Sequence, residues 1–209
     1  MNSPREGITF VLSAPSGTGK TTVCKALRQK IPALKFAVSH TTRAPRPGEK
    51  EGEAYYFISQ DEFERKISQG GFLEWAKVFD HYYGTSVEAA KKCNGDQQNI
   101  LIELDVQGAR TLRENKFPGV FIFLLPPSLE ELATRLKKRD TDSDQKINQR
   151  LAIGKQEIKN VRLYDYVITN ADIDQTAQTI QEIMNAEAHR TARFEPSSDD
   201  IRSLLNSVD

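Results

Sequence analysis

Two adjoining segments decide the fold: the apolar run Ile8-Thr9-Phe10-Val11-Leu12 and, directly behind it, the loop Ala14-Pro15-Ser16-Gly17-Thr18-Gly19-Lys20-Thr21-Thr22. A helix-compatible segment follows at residues 23–28, so the order is strand, glycine-bearing loop, helix. Backbone N–H groups of such a loop, together with the helix N-terminus, can donate to the oxygens of a polyphosphate. We expect Lys20 to reach the terminal phosphates and the Thr21 hydroxyl to hold a magnesium ion. The alternative is a chance Gly-Lys-Thr triplet in a surface turn, which the strand and helix around it disfavour.

The loop departs from the general pattern G-x-x-x-x-G-K-[ST] at its first position, where Ala14 replaces glycine. One added methyl group is tolerated there if the φ angle of Ala14 is negative. Gly17 and Gly19 are the better candidates for backbone conformations that a Cβ atom would obstruct.

The composition is that of a globular protein, and its balanced charge favours a small ligand over nucleic acid or a membrane. The chain has 209 residues, and its 29 basic residues balance its 29 acidic residues, so nothing global draws it to nucleic acid or to a membrane. Cys24 and Cys93 lack the spacing of a metal site, and Cys24 is expected to be a buried free thiol. The N-terminus has no apolar signal region and no window approaches the length of a membrane span, so a cytoplasmic location is expected.

Apolar runs alternate with helical patterns along most of the chain. The runs lie at residues 8–12, 98–104 and 119–125, with a weaker one at 166–169. This alternation predicts an α/β fold of the P-loop NTPase type, with a mainly parallel sheet covered by helices on both faces. Ligands of such sheets collect at the carboxyl ends of the strands, where the phosphate loop would lie.

Local signals mark several helix ends. Ser128 and Asp61 each precede an acidic helical segment and are the expected N-caps. The helix after the phosphate loop should end near Ile31, because Pro32 follows it.

We interpret the chain as a single domain of residues 1–209 with two inserted parts. The core is expected at about 7–35, 91–134 and 161–190. An α+β insertion is expected at about 36–90, where irregular, strand-like and helical segments alternate. Residues 135–160 are highly charged and short of large apolar side chains, so they are expected to form a solvated, mobile helical element. The tail at 191–209 is polar.

A second phosphate site is predicted in the basic loop of the insertion. Arg43 and Arg46 lie three residues apart beside Pro45 and Pro47, which reduce the entropy lost in holding two guanidinium groups towards a monophosphate. The alternative for this segment alone is a solvated basic loop. Tyr55 and Tyr83 could turn inward in the same insertion, or pack as ordinary strand residues.

These residues together resemble the guanylate kinase family over nearly the whole chain apart from both tails. The motifs that carry the resemblance are APSGTGKTT at 14–22, SHTTRAPRPGE at 39–49, FLEWAKV at 72–78, HYYGT at 81–85, ELDVQGA at 103–109 and the pair Arg139 and Arg150. Six such motifs in the family order are not plausibly accidental.

The resemblance implies ATP-dependent phosphorylation of GMP, and of dGMP, to the diphosphate, with ATP and Mg²⁺ bound at the phosphate loop. ATP would be held by residues 14–22, and Asn170 would bind near its base. The residues implied for the GMP phosphate are Arg43, Arg46, Tyr55 and Tyr83, and those implied for the guanine are Ser39, Glu74, Thr85 and Asp105. Lys20, Arg43, Arg139 and Arg150 are implied to act on the phosphoryl groups during transfer.

Base chemistry agrees with that assignment. An ionised Glu74 can accept hydrogen bonds from N1–H and the N2 amino group of guanine, while the hydroxyls of Ser39 or Thr85 donate to O6. Adenine would present an acceptor to the carboxylate and leave buried polar groups unpaired. Considered alone, Glu74 is more often an exposed carboxylate on a strand surface.

Phosphoryl transfer needs positioning and charge stabilisation more than it needs a general base, because the acceptor phosphate is already an anionic nucleophile. The resemblance implies that residues 135–160 form a lid, from which Arg139 and Arg150 would neutralise charge after closure. Considered alone, either residue is more often a solvated surface arginine. Two departures from the family pattern leave a role open: Glu103 replaces a common aspartate, and Asp140 replaces a common glycine after Arg139.

Two other functions remain to be weighed. Guanylate-kinase-like domains of scaffold proteins bind peptides and usually lose phosphate-loop residues, which are present here. A kinase of another small phosphate acceptor is the second alternative, and Glu74 with Ser39 argues for guanine instead. The sequence leaves open whether the protein is a monomer or a homo-oligomer.

Overall fold

A computed structural model describes residues 7–78, 80–94, 98–137, 144–194, 196, 198 and 201–203. Nine strands lie in the described ranges: β1 Thr9–Ser13, β2 Lys35–Ala37, β3 His40–Thr41, β4 Tyr56–Phe57, β5 Phe72–Val78, β6 His81–Ser86, β7 Ile100–Leu104, β8 Val120–Leu125 and β9 Tyr166–Thr169. The helices of the same ranges are α1 Lys20–Lys30, α2 Gln60–Ser68, α3 Val87–Asn94, α4 Val106–Glu114, α5 Leu129–Lys137, α6 Asp144–Ile158 and α7 Ile173–Ala188. Short 3-10 turns follow at Lys159–Leu163 and Thr191–Arg193.

The central sheet has five strands in the order β2-β7-β1-β8-β9, and every neighbouring pair is parallel. Val11 in the middle of β1 lies opposite Ile102 of β7 and Phe121 of β8. All three side chains are buried, because a parallel sheet covered on both faces needs apolar residues on both. The α/β fold with a mainly parallel sheet is therefore confirmed.

Successive residues of β1 point into two different apolar clusters. Phe10 and Leu12 pack in a cluster that also contains residues of α1 and α7, among them Val23, Leu27, Ile180 and Met184. Val11 packs on the other face, in a cluster with Ala109 and Leu112 of α4. The two clusters place helices on opposite faces of the sheet, and the phosphate loop follows the carboxyl end of β1 between them.

A second sheet, in the order β4-β3-β6-β5, lies between β2 and α3 in the chain. β5 and β6 form an antiparallel pair in which Glu74 lies opposite Thr85. Phe63 of α2 is fully buried and stacks on Phe72 at 4.4 Å and on Tyr82 at 5.2 Å between ring centres, which fixes α2 to this sheet. Strands and a helix therefore combine in this region as expected, while the boundaries that we give to the insertion stay a prediction.

The predicted ends of the helices are confirmed in two cases and wrong in one. Ile31 closes α1 through its backbone N–H to Leu27, and Ser128 caps α5 by accepting from the backbone N–H of Glu131 at 3.1 Å. The N-cap of α2 is Ser59, which accepts from Glu62 at 3.2 Å, and not Asp61. Asp61 lies in the first turn instead, where its charge still favours the helix N-terminus.

The segment expected as a solvated lid is less solvated than its composition suggested. Ile147 of α6 is buried and, with the half-buried Leu151, packs against Leu132 and Leu136 of α5. Arg139 and Asp140 lie outside the described residues. Among the residues that the structure describes, no helix combines the length and the apolar character needed to cross a membrane.

Candidate active site

The phosphate loop joins the carboxyl end of β1 to the N-terminus of α1. Gly17 and Gly19 have φ angles of 92° and 98°, the left-handed region predicted for them. A Cβ atom on Gly17 would lie 2.8 Å from Leu136, and one on Gly19 would lie 2.9 Å from Asn170. Within the described ranges Lys116 is the one non-glycine residue with positive φ, so the backbone of Ala14 meets the condition under which alanine is tolerated.

Lys20 begins α1 and points to the carboxyl end of the neighbouring strand β7. Its ammonium group donates to the carbonyl oxygen of Leu104 and lies 3.9 Å from the Glu103 carboxylate. The Thr21 hydroxyl donates to the same carboxylate at 3.2 Å. Glu103, whose role the sequence left open, thus lies beside both side chains that we expect at the donor phosphates.

Two side chains support the phosphate loop from behind. The Asn170 amide donates to the Thr18 carbonyl oxygen at 2.7 Å and accepts from the Thr176 hydroxyl at 3.0 Å. Arg135 donates to the same Thr18 carbonyl at 2.9 Å. Because Asn170 is fully buried with both ends of its amide engaged, its geometry fits a residue that shapes the loop, and contact with the ATP base stays a prediction.

Replacing Asn170 with alanine is expected to lower the free energy of unfolding by about 1–3 kcal/mol, because the buried Thr176 hydroxyl loses its partner and a loop carbonyl loses a donor. Urea denaturation followed by circular dichroism would measure the change. Asn185→Ala, at an exposed position of α7, is the matched control and should change stability by less than about 0.5 kcal/mol. Equal effects in the two variants would contradict a supporting role.

Helix α6 contacts the loop at Ser16. Arg150 donates to the Ser16 hydroxyl at 2.7 Å, which places this predicted residue at the phosphate loop. Glu157, two turns further on, is mostly buried; burial raises the pKa of its carboxyl group, and a hydrogen bond from the Ser16 backbone opposes that shift. α6 therefore brings one positive and one negative side chain to the same loop residue.

The arginine loop forms the second predicted phosphate subsite. The Arg43 guanidinium is 2.9 Å from the Glu49 carboxylate and 5.5 Å from the centre of the Tyr55 ring. The rings of Tyr55 and Tyr83 are 5.9 Å apart. The structure thus brings Arg43, Tyr55 and Tyr83 together, whereas the Arg46 side chain is exposed and the backbone N–H of Arg46 donates to Glu49 at 2.8 Å.

The residues predicted for the base also meet. The Ser39 and Thr85 hydroxyl oxygens are 3.1 Å apart, and the Thr85 backbone N–H donates to Glu74 at 2.8 Å. Asp105 caps α4 next to them by accepting from Gly108 at 2.7 Å. Glu74 is only 5% exposed, so the interpretation as a surface carboxylate is wrong.

The surroundings of Glu74 raise the pKa of its carboxyl group. Burial raises the pKa of its carboxyl group to about 7, and the negative charge of Asp105 adds to the rise, while hydrogen bonds from Thr85 oppose it. A carboxyl group with this pKa can be ionised near neutral pH when a ligand offers it hydrogen-bond donors. Such a shift, on a buried carboxyl group where several polar groups converge, is typical of a functional site.

Sequence reasoning missed three residues of this site. Glu49 holds Arg43, Arg135 holds the phosphate loop and Glu157 approaches Ser16. The sequence around Arg135 gave little reason to single it out, because an arginine four residues after Glu131 is typical of an ordinary ion pair on a helix surface.

A phosphate loop after the first strand of a parallel sheet, with a second pocket of arginine, tyrosines and a buried carboxylate, defines a P-loop kinase acting on a small phosphorylated acceptor. The guanylate kinase family profile matches residues 6–187. The guanylate kinase of Caldanaerobacter subterraneus subsp. tengcongensis is 47% identical in an alignment that covers 92% of this chain and 94% of that protein. This chain belongs to the guanylate kinase family.

Two further relatives agree with the family. The guanylate kinase of Geobacter sulfurreducens is 43% identical in an alignment that covers 96% of this chain and 98% of that protein. The crystal structure of guanylate kinase from Anaplasma phagocytophilum matches with a TM-score of 0.77 at 37% identity, over 100% of this chain and 97% of that one.

Proposed function

We propose that this protein binds ATP at the phosphate loop and GMP at the second sheet, and transfers the γ-phosphoryl group of ATP to the phosphate of GMP. The reaction is that of the guanylate kinase family: ATP and GMP give ADP and GDP. We include dGMP as an acceptor, because Ser39, Glu74 and Thr85 are proposed to address the base and not the sugar. The observation that carries the proposal is the buried Glu74 carboxylate between Thr85 and the start of α4.

The proposed base contacts follow from donor and acceptor matching. Glu74 accepts from N1–H and the N2 amino group of guanine, and Ser39 or Thr85 donates to O6. Adenine has an acceptor at N1, which would face the carboxylate and leave it unpaired or force it to be protonated. A buried site of this kind can reject an analogue by about 10⁴-fold or more.

In the proposed transfer, a GMP phosphate oxygen forms the new P–O bond to the γ-phosphorus, and the bond from that phosphorus to the β–γ bridging oxygen breaks. Lys20 would hold the donor phosphates, Arg43 the acceptor phosphate, and Arg150 would reach the transferring group from its place at Ser16. Arg139, outside the described residues, stays a prediction. A positive charge at each oxygen stabilises the charge that spreads during transfer, so no general base is needed.

The residues around the loop fit a magnesium ion, which we propose as the metal. The Thr21 hydroxyl and the Glu103 carboxylate are hard oxygen donors that meet at 3.2 Å beside the loop. Thr21 is the proposed ligand, and Glu103 would bind the ion or its water. When bound, magnesium neutralises charge on the donor phosphates.

Water must be excluded from the γ-phosphate, because water would otherwise accept the phosphoryl group. We propose that the segment 135–160 closes over the loop as a lid, since α6 already contacts Ser16. The cytoplasmic location expected from the sequence stays a prediction.

The pKa of Glu74 predicts how GMP binding depends on pH. Guanine donors bind the ionised form, so protons compete with GMP as the pH falls below about 7. The KM for GMP is expected to rise by about fivefold to tenfold between pH 8 and pH 6. Initial rates across this range would test the expectation. Glu74→Gln is the control, because it retains only the titration of GMP itself, whose second phosphate pKa is about 6. Parallel pH profiles for the two proteins would contradict the assignment.

A coupled ATP-consumption assay with GMP, dGMP, AMP, UMP and CMP tests the proposal as a whole. We expect GMP to have the highest kcat/KM and dGMP to follow it. A higher value for AMP would overturn the base assignment. No diphosphate product from any acceptor would instead favour a binding module.

A further inference from the structure

Gly108 lies in the first turn of α4 and is buried against the carboxylate of Glu74. A Cβ atom built on Gly108 would overlap Oε2 of Glu74 and lie 3.1 Å from its Cδ atom. Oε1 of the same carboxylate accepts from the Thr85 backbone N–H. The carboxylate is therefore held by the second sheet at one oxygen and faces the open side of a glycine at the other.

The backbone of α4 does not itself require glycine at this position. Within the described ranges the glycines with positive φ are Gly17, Gly19, Gly48, Gly52 and Gly70, so Gly108 has a conformation that other residues adopt. Its backbone N–H donates to the Asp105 side chain at 2.7 Å, and an alanine would keep that N–H. Glycine inside a helix is also less favourable than alanine. What distinguishes glycine here is the space that it leaves for Glu74.

We propose that Gly108 is a positioning residue that sets the base specificity of the kinase by making room for the Glu74 carboxylate. This inference rests on the proposed role of Glu74 in binding guanine. The helix cannot withdraw easily, because Val106 and Ala109 are both buried and Ala109 packs in the apolar cluster with Val11. The carboxylate ends a flexible side chain, so an added methyl group displaces the carboxylate and leaves the fold intact.

Gly108→Ala is the direct test. The KM for GMP is expected to rise by about tenfold or more, and the preference for GMP over AMP in kcat/KM is expected to fall by a similar factor. The kcat at saturating GMP and the KM for ATP should stay within about threefold of the wild-type values, because the donor site is unchanged. A purely structural role would lower the thermal midpoint and leave the base preference as it was.

Gly119→Ala is the matched control. Gly119 precedes β8 at the opposite end of the sheet from the site, and a Cβ atom there would lie 3.3 Å from the Thr9 carbonyl oxygen. This variant adds a methyl group in a close-packed place without touching the pocket. It should retain the wild-type preference for GMP. Equal loss of preference in the two variants would overturn the inference.

A double-mutant cycle tests the contact itself. Asp at position 74 is shorter by one methylene, so Glu74→Asp withdraws the carboxylate from the added methyl group. The fold loss of kcat/KM for GMP in the double variant should then be smaller than the product of the fold losses in the Gly108→Ala and Glu74→Asp single variants. If the single alanine variant is recovered only unfolded, a folded double variant supports the clash. Unfolding of both would contradict it, since the methyl group would then be rejected by something other than the carboxylate.

The same assays separate this inference from the proposed function. If the wild-type protein shows no preference for GMP, or if Glu74→Gln keeps that preference, the base assignment fails whatever Gly108 does. If the wild-type protein prefers GMP, Glu74→Gln loses the preference and Gly108→Ala retains it with an unchanged KM, the inference about Gly108 alone is wrong.

Discussion

Replacing Lys20 with alanine is expected to lower kcat by about 10³-fold while the KM for GMP changes by less than about threefold. The loss corresponds to about 4 kcal/mol of transition-state stabilisation. The structure gives the reason: the Lys20 ammonium is held at the carboxyl end of β7, against the Leu104 carbonyl and near Glu103, where it faces the loop that is proposed to bind the donor phosphates. The acceptor subsite is built from other elements, so GMP binding should survive.

Steady-state kinetics with ATP and GMP would measure the Lys20 effect. Lys25→Ala is the matched control, because Lys25 is exposed on the same helix. It should keep kcat within about twofold of wild type, as surface changes usually do. A Lys20 variant that retains more than a tenth of the wild-type kcat would contradict the proposed mechanism.

Replacing Glu74 with glutamine is expected to raise the KM for GMP by about 10²-fold and to reduce the preference for GMP over AMP by about the same factor. Glutamine has nearly the same shape as glutamate, but its amide nitrogen donates where guanine also donates. One buried hydrogen bond then becomes a repulsive contact, while the remaining amide oxygen can still accept from the Thr85 backbone N–H. The kcat at saturating GMP should fall less than the KM rises.

Kinetics with GMP and AMP as alternative acceptors would show the Glu74 effect. Glu64→Gln, on the exposed face of α2, makes the same chemical change outside the pocket and should leave both parameters near wild type. An unchanged ratio of kcat/KM for GMP and AMP in the Glu74 variant would sink the base assignment.

The phosphate loop could be predicted from sequence because its determinants are local. Gly17, Gly19 and Lys20 lie within four residues, and the mainly apolar segment before them predicts a buried strand. The proposed site for the acceptor base is different, since it depends on how β5 pairs with β6. That register places Glu74 opposite Thr85, and a shift of one residue would turn Glu74 to the other face of the sheet. The resemblance to relatives, and not the local pattern, supplied those residues.

Other features escaped prediction for identifiable physical reasons. Ser59 and Asp61 are both residue types that cap helices, and each is followed three residues later by a glutamate. The sequence pattern therefore did not distinguish between them, and the structure has Ser59 as the N-cap. The apolar contact of Ile147 with α5 was hidden in a charged segment, because two or three apolar side chains suffice to join a pair of helices. Gly108 gave no local signal at all, since its partner Glu74 is distant in the chain.

The consecutive residues Leu104 and Asp105 join the two halves of the chemistry. The carbonyl oxygen of Leu104 accepts from Lys20 of the proposed donor site, and the side chain of Asp105 caps the helix whose Gly108 lies against Glu74, the proposed acceptor for guanine. A substitution that moved this one peptide would therefore be expected to disturb both proposed nucleotide sites at once. A redesign of the acceptor preference should therefore retain this dipeptide and change residues of the second sheet, such as Ser39 and Thr85, instead.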